Sequence, residues 1–331
     1  MLRVGLNPYG LTYHLGLQAA GTPRANLAGR GLEGFVAIAT ELRAKTLEIF
    51  DPWLQGLPDA AIEALRERLA ALGMEPVVSA GLHNMGLLAS AFRSAALLDA
   101  KTIRLGLTPV LCGDRNAWGE KWGEFKAIVR AELYEWGPRA ADAGRVLAIE
   151  NHQDFTSAEL VAFCEEAGAG VGITYDTGNS FPVGEAPLDF TRTIAPHVRH
   201  VHLKDYRVQF TAEGYRLVRC AIGDGAVPFP ELVALLAEHH DSLTAVLEPG
   251  ALEARHVRLL TSSWWNGYAP RQARDLAACL SAAHHNRLPD EADYRTPWER
   301  QEDSRIETYE LDMIRRSAAN MRALGIMSHG D

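Results

Sequence analysis

Cysteine is scarce: Cys112, Cys164, Cys220 and Cys279 are the only four in 331 residues, and no two are spaced as CxxC. That spacing excludes a disulfide framework and a thiolate zinc knuckle and suits reduced thiols. No run approaches the roughly 20 apolar residues of a membrane span. The opening MLRVGLNPYG also lacks the basic and apolar regions of a secretory leader. A soluble, cytoplasmic protein with no membrane partner is therefore expected. Positive charge is short as well. Thirty-three Lys and Arg against 42 Asp and Glu leave a formal charge of −9, which argues against nucleic acid as a partner and favours a small molecule. No GxGxxG or GKS/T motif follows an early strand, so an open nucleotide-binding sheet is disfavoured. What the chain does have is a hydrophobic content of 47%, enough for a large core.

Short β-rich runs alternate with longer helical patterns, the mark of parallel βα units. Strands are expected at 3–7, 46–51, 75–80, 102–107, 146–151, 172–176, 198–204 and 244–248. Helical periodicity fills 32–44, 59–72, 87–100, 121–143, 156–167, 188–197 and 229–239. Asp59 and either Thr156 or Ser157 stand where N-caps belong, and Gly73, Gly144 and Gly168 where C-cap glycines belong. Eight units in about 250 residues predict an α/β fold, a (β/α)8 TIM barrel, over residues 1–251. Residues 252–331 break the repeat. They hold Trp264, Trp265, Tyr268, Tyr294 and Trp298 and a final helix over about 302–324. This C-terminal extension is expected to pack on the barrel or on a partner, as a homo-oligomer contact or a second subunit.

Catalytic residues of such a barrel come from the C-terminal ends of its strands. The last four strands end in LAIENH, GITYDTGN, HVRHVHLKD and AVLEPG, delivering Glu150, Asp176, His202 and Glu248. Two steps of 26 residues separate the first three, which predicts equivalent heights on adjacent strands. A single carboxylate at a strand end commonly serves the following helix. Three buried together would repel strongly without a cation, and a divalent metal is the usual remedy.

Together with IGDGAVPFPELVALL, these motifs resemble the xylose-isomerase-like barrel superfamily of sugar phosphate isomerases and epimerases, ketose 3-epimerases and inosose dehydratases. The resemblance covers roughly residues 3–250. It implies that Glu150, Asp176, His202 and Glu248 ligate one divalent ion and that the two glutamates act on opposite faces of a bound sugar. It also implies that Gly223 and Gly225 are backbone requirements of a turn. Three oxygen donors and one imidazole favour Mn²⁺, with Mg²⁺, Co²⁺ or Zn²⁺ as alternatives. Such a centre can acidify a hydroxyl beside a carbonyl, and glutamates on either side could move a carbon-bound proton through an enediolate.

Strand periodicity adds neighbours. His152 lies two residues after Glu150 and could be a further base or hydroxyl anchor. Lys204 lies two after His202 and could hold a substrate oxygen, or pair with a carboxylate such as Glu48. Asp205 is expected to orient His202 or Lys204. Asn179 stands where many relatives of this superfamily carry a substrate-touching His, a departure that weakens a ketose 3-epimerase assignment. His14 and His83 could line the mouth. His197, His200, His239, His240, His284 and His285 are read as background.

The leading expectation is a metal-dependent sugar isomerase or epimerase acting on a small sugar or sugar derivative. A lyase on a keto-sugar is the alternative: a dehydratase, a decarboxylase, or the large subunit of a C-glycoside deglycosidase, which the aromatic extension loosely resembles. An endonuclease IV-like nuclease is disfavoured, because Asn179 replaces a ligand His and the chain lacks a basic surplus.

Overall fold

The computed structural model describes residues 2–82 and 88–328. Eight parallel strands close into a barrel: β1 (Leu2–Leu6), β2 (Thr46–Phe50), β3 (Glu75–Leu82), β4 (Thr102–Gly106), β5 (Val146–Glu150), β6 (Val171–Asp176), β7 (Val198–Leu203) and β10 (Leu243–Leu247). Their order around the barrel follows the chain, with β10 closing onto β1. These are the eight expected runs, and the fold is the predicted (β/α)8 TIM barrel. Each pairs on both sides and is buried on both faces, which explains their nearly continuous Val, Ile and Leu content.

The helices between them are α1 (Gly31–Glu41), α2 (Asp59–Ala71), α3 (Leu88–Leu98), α4 (Trp122–Asp142), α5 (Ser157–Ala167), α6 (Pro187–Ile194) and α7 (Phe229–Ala237). Thr156 caps α5 as expected, in a reciprocal box with Glu159. Asp59 does not cap α2. Pro58 takes the cap position in extended geometry, and Asp59 becomes the first helical residue, where its charge still meets the helix dipole.

Among the described residues, three strands and one α-helix lie outside the expected runs. After β7 the chain forms an antiparallel hairpin, β8 (Tyr206–Thr211) and β9 (Gly214–Arg219), which β11 (Arg255–Val257) extends to three strands. A further helix, α8 (Ala273–His285), precedes the final helix α9 (Asp303–Ala323). Ile314, Ala318 and Met321 of α9 join the main hydrophobic core. The buried Glu310 carboxylate of α9 accepts the backbone N–H groups of Tyr13 (3.1 Å) and His14 (2.8 Å) behind β1. Trp264 and Tyr268 donate to the carbonyls of Cys112 and Gly113, each at 2.8 Å.

Strand register sets the height of the site. Asp176 pairs with His202 and His202 with Val246, so Glu248 lies two residues further out. Glu150 pairs with Thr174 rather than Asp176. The equal 26-residue steps therefore do not make one row: Asp176 stands one inward-facing position beyond Glu150 in register, and the tilt of barrel strands brings the staggered positions together.

Asp154, buried beyond β5, has its carboxyl pushed up to about 7 by burial, against the pull of Thr108, Phe155 and Arg115. Unfolded, it ionises near ~3.9. From about pH 4 to about pH 7 the folded chain keeps a proton that the unfolded chain has lost, so stability falls as pH rises. Asp154→Asn should remove that loss. Thermal melts are expected to show a larger gain in Tm over the parent at pH 8 than at pH 4; equal gains at both would contradict the assignment.

Candidate metal centre

One donor atom each from Glu150, Asp176, His202 and Glu248 lies within 4.8 Å of the other three, and all four residues are buried. Each stands at or just beyond a strand's C-terminal end, where the chain leaves the sheet and the side chains of different strands converge. His202 Nδ1 sits 2.8 Å from Glu248 Oε2 and 3.6 Å from Glu150 Oε1. Glu150 Oε1 is buried with no hydrogen-bond partner, and His202 Nδ1 has only the charged contact with Glu248, in poor hydrogen-bond geometry. Unsatisfied donor atoms pointing at one spot are what a metal ion would satisfy. The residues present thus fit a divalent cation held by three oxygens and one nitrogen.

Two cations temper the acidity. Lys204 Nζ bonds Asp176 Oδ2 and lies 2.6 Å from Glu248 Oε1. Arg104, inside β4, pairs with Glu150 Oε2, and the Asn7 amide donates to Glu248 Oε2. Burial pushes the Glu248 carboxyl up, but Lys204 and His202 outweigh it and hold the group well below the usual carboxylate range. For Asp176 burial wins over Lys204, and the carboxyl rises to about 6. Burial lowers His202, but Glu48 and Glu248 together lift it to about 9.

Behind His202 lies a polar chain. Glu48 Oε2 is 2.6 Å from His202 Nε2 and 3.0 Å from His200 Nε2, while His200 Nδ1 is 2.7 Å from Thr244 Oγ1. Burial raises the Glu48 carboxyl, but the two imidazoles outweigh it and hold the group ionised. The carboxylate thus fixes the His202 ring with Nδ1 toward the acidic cluster. Glu48, His200 and Thr244 lie within strands rather than at the strand ends that carry the other four residues. The period of two from His202 back to His200 was the available signal, as was a charged Arg104 within the apolar run TIRLG. His200, read as background, is a working part of this chain.

Backbone clamps set the height of the ligands. Asn151 receives the Asp176 N–H (2.6 Å) and donates to the Asp176 carbonyl (2.8 Å), locking β5 to β6. Thr177 joins the backbone of Lys204 in both directions. Lys204 pairs with Asp176 and Glu248, not with Glu48. Asp205 orients neither His202 nor Lys204. Its carboxylate instead accepts N–H groups from Tyr206, Gly223, Gly225 and Val227, shaping the IGDGAV turn. That turn needs its glycines: Gly223 has φ +93, and a Cβ on Gly225 would stand 2.3 Å from Asp205 Oδ1.

His152 is half-buried, and its Nδ1 has no hydrogen-bond partner. Burial, helped by the charges of Arg104 and Lys204, holds its imidazole well below the usual range, hence neutral. Asn179 is fully buried with neither side-chain polar atom hydrogen-bonded. His14 is brought elsewhere: its Nδ1 pairs with Glu307 of α9 at 2.8 Å. His83 lies outside the described residues.

A closed (β/α)8 barrel with four potential metal-ligating side chains gathered at its strand ends defines the class, and residues 36–260 match the xylose isomerase-like TIM barrel family. The chain belongs to that family. The uncharacterized protein YihM of Escherichia coli (strain K12) is 33% identical over 96 residues, 29% of each chain. Inosose dehydratase of Clostridium botulinum (strain Alaska E43 / Type E3) is 25% identical over 148 residues, 40% of this chain and 48% of that one. The chain thus matches less than half the length of either curated relative. D-psicose 3-epimerase, solved in the presence of D-fructose, shares the fold with a TM-score of 0.57 and 17% identity, covering 88% of this chain and 93% of that one.

Added Mn²⁺ should raise Tm and EDTA should reverse the rise, because an ion bound only by the folded state stabilises it by ~2.7 kcal/mol at 100 times its Kd. His202→Asn is expected to shrink the shift and the bound metal measured by elemental analysis; an unchanged shift would exclude His202 as a ligand. Glu48→Gln should weaken Mn²⁺ binding by about 10–100-fold while leaving the ligands in place, as read by titration; parent-like affinity would leave Glu48 without that orienting role.

Proposed function

We propose that this chain is a divalent-metal-dependent isomerase or epimerase of a small sugar or sugar derivative, moving a proton on a carbon beside a carbonyl. The observation that carries the reading is the buried convergence of Glu150, Asp176, His202 and Glu248 at the strand ends. The 3-epimerase that shares the fold supports it, whereas the inosose dehydratase, a sequence relative, bears on the lyase reading below. Mn²⁺ suits a mixed oxygen and imidazole set, with Mg²⁺, Co²⁺ and Zn²⁺ as competitors. When bound, the ion would supply Lewis acidity to a carbonyl and its neighbouring hydroxyl.

The protein's own groups would do the proton work. Glu150 and Glu248 flank the cluster from β5 and from beyond β10, so one carboxylate can take the proton on one face of the sugar carbon and the other return it. Lys204, already within reach of Glu248, would stabilise negative charge on a substrate oxygen. Asn179 offers two unspent polar atoms for a sugar hydroxyl. In this reading residues 1–251 are the catalytic barrel of a cytoplasmic enzyme, and residues 252–331 an extension that closes against it.

One observation favours a lyase as the second reading. His152, neutral and with a free ring nitrogen close to the charges of Arg104, Lys204 and Glu248, could take a proton from the substrate carbon and hand it to the leaving hydroxyl, which departs as water, as dehydration of a keto-sugar requires.

Metal-loaded protein in D₂O should exchange a carbon-bound proton of one member of a ketose and aldose panel. Glu150→Gln and Glu248→Gln, compared at measured metal content, should each lower that exchange by about 10²–10⁴-fold. Near-normal exchange in either variant would sink the two-glutamate scheme. Release of a dehydrated product without an epimer would decide for the lyase.

A further inference from the structure

A cavity of about 860 Å³ lies between the β8–β9 hairpin, the segment before α9 and α9 itself. Its lining does not include the metal cluster. Six arginines line it: Arg207 and Arg219 from the hairpin, Arg295 and Arg300 from the segment, and Arg305 and Arg316 from α9. Only two carboxylates, Asp224 and Asp312, share the lining. On a chain carrying −9 overall, positive charge is concentrated in this lining.

Several of these arginines are partly engaged at the rim. Arg295 and Arg300 reach Asp293, Arg305 reaches Glu302, and Arg316 reaches Asp224. Arg219 differs. It is 5% exposed, and its two terminal nitrogens donate to the carbonyls of Gly250 and Gly10, each at 2.7 Å. Its Nε is buried with no hydrogen-bond partner. The buried Glu310 carboxylate nearby is already spent on the backbone of Tyr13 and His14. Among the described residues no carboxylate forms an ion pair with Arg219 or with Arg207, which is exposed on the cavity wall. Glu310 offsets the Arg219 charge only from a distance, a buried guanidinium with no direct ion pair is costly, and exposed guanidinium forks such as that of Arg207 suit phosphate or carboxylate oxygens. Tyr309, whose ring centre is 5.5 Å from the Arg219 guanidinium carbon, adds a flat wall.

We infer that this cleft binds a small polyanion carrying at least two phosphate or carboxylate groups. The volume is that of a small-molecule site. The inference does not rest on the proposed sugar chemistry, because none of the four candidate ligands enters it.

The test is calorimetric titration of the full chain with pyrophosphate and, separately, citrate, at about 150 mM salt and after removal of divalent metal so that chelation contributes no heat. One saturable site per chain is expected for at least one probe, and which probe binds more tightly tells phosphate from carboxylate preference. Arg207→Ser combined with Arg300→Ser changes two exposed side chains and should weaken binding at least 10-fold with an unchanged melting curve. Arg130→Ser, outside the cleft, and Glu248→Gln, in the metal cluster, should each leave it within 2-fold. Should the double variant melt early, Arg305→Ser alone serves, with a loss of at least 3-fold expected. Absence of saturable binding to both probes would overturn the inference. So would binding that survives the cleft substitutions, or that Glu248→Gln abolishes. A self-associating chain that the same arginine substitutions dissociate, with neither anion bound, would assign the cleft to a second copy instead.

Discussion

Everything at the mouth of this barrel answers to one constraint: four carboxylates, Glu48, Glu150, Asp176 and Glu248, are buried around a single imidazole, His202. Two carboxylates ~4 Å apart repel by ~4 kcal/mol even at an effective dielectric of ~20. Arg104 and Lys204 supply two fixed positive charges and a protonated His202 a third, which still leaves one negative charge over. A divalent ion taking the place of the imidazole proton brings the count to neutrality. The elevated affinity of His202 for its proton is thus the same electrostatic demand that a metal would meet.

The surrounding structure serves to keep those charges from relaxing apart. The side chains of Asn151 and Thr177 bolt the ends of β5, β6 and β7 to one another through hydrogen bonds to the backbone. Glu48 and His200 hold the far side of the His202 ring. Asp205, three residues on, gathers four backbone N–H groups and fixes the turn that leads into α7. The C-terminal segment contributes too, since Glu310 and Trp264 bind the loops behind β1 and β4. Rigid support of this kind lets side chains from separate strands stay within coordination distance of one point.

How much of this was legible in the sequence depended on which physical signal was strong. The eight barrel strands were, because parallel strands buried on both faces read as apolar runs between amphipathic helices. The four residues that converge at the mouth were, because each lies at the end of such a run. Glu48 was legible only as a possible partner for Lys204, and His200 and Arg104 were not, because all three lie within strands, where a polar residue reads as an interruption until register shows that it points inward. The β8–β9 hairpin was missed although Tyr206, Val208 and Phe210 alternate and Tyr215 and Leu217 repeat the pattern; the expectation of a helix after each strand hid it. Equal spacing along the chain also misled, since the register of Glu150 against Thr174 depends on barrel stagger and not on residue count. Asp205 looked like an orienting partner for His202 by proximity, yet the free N–H groups of the glycine turn compete for its oxygens and win.

The account stands most directly on the metal centre, and a crystal structure of the Mn²⁺-soaked protein with anomalous data tests it. The expected result is one anomalous peak bonded to Glu150, Asp176, Glu248 and the Nδ1 of His202, at about 2.0–2.3 Å. No peak among these four residues at saturating Mn²⁺, with Lys204 still joining Asp176 to Glu248, would contradict it.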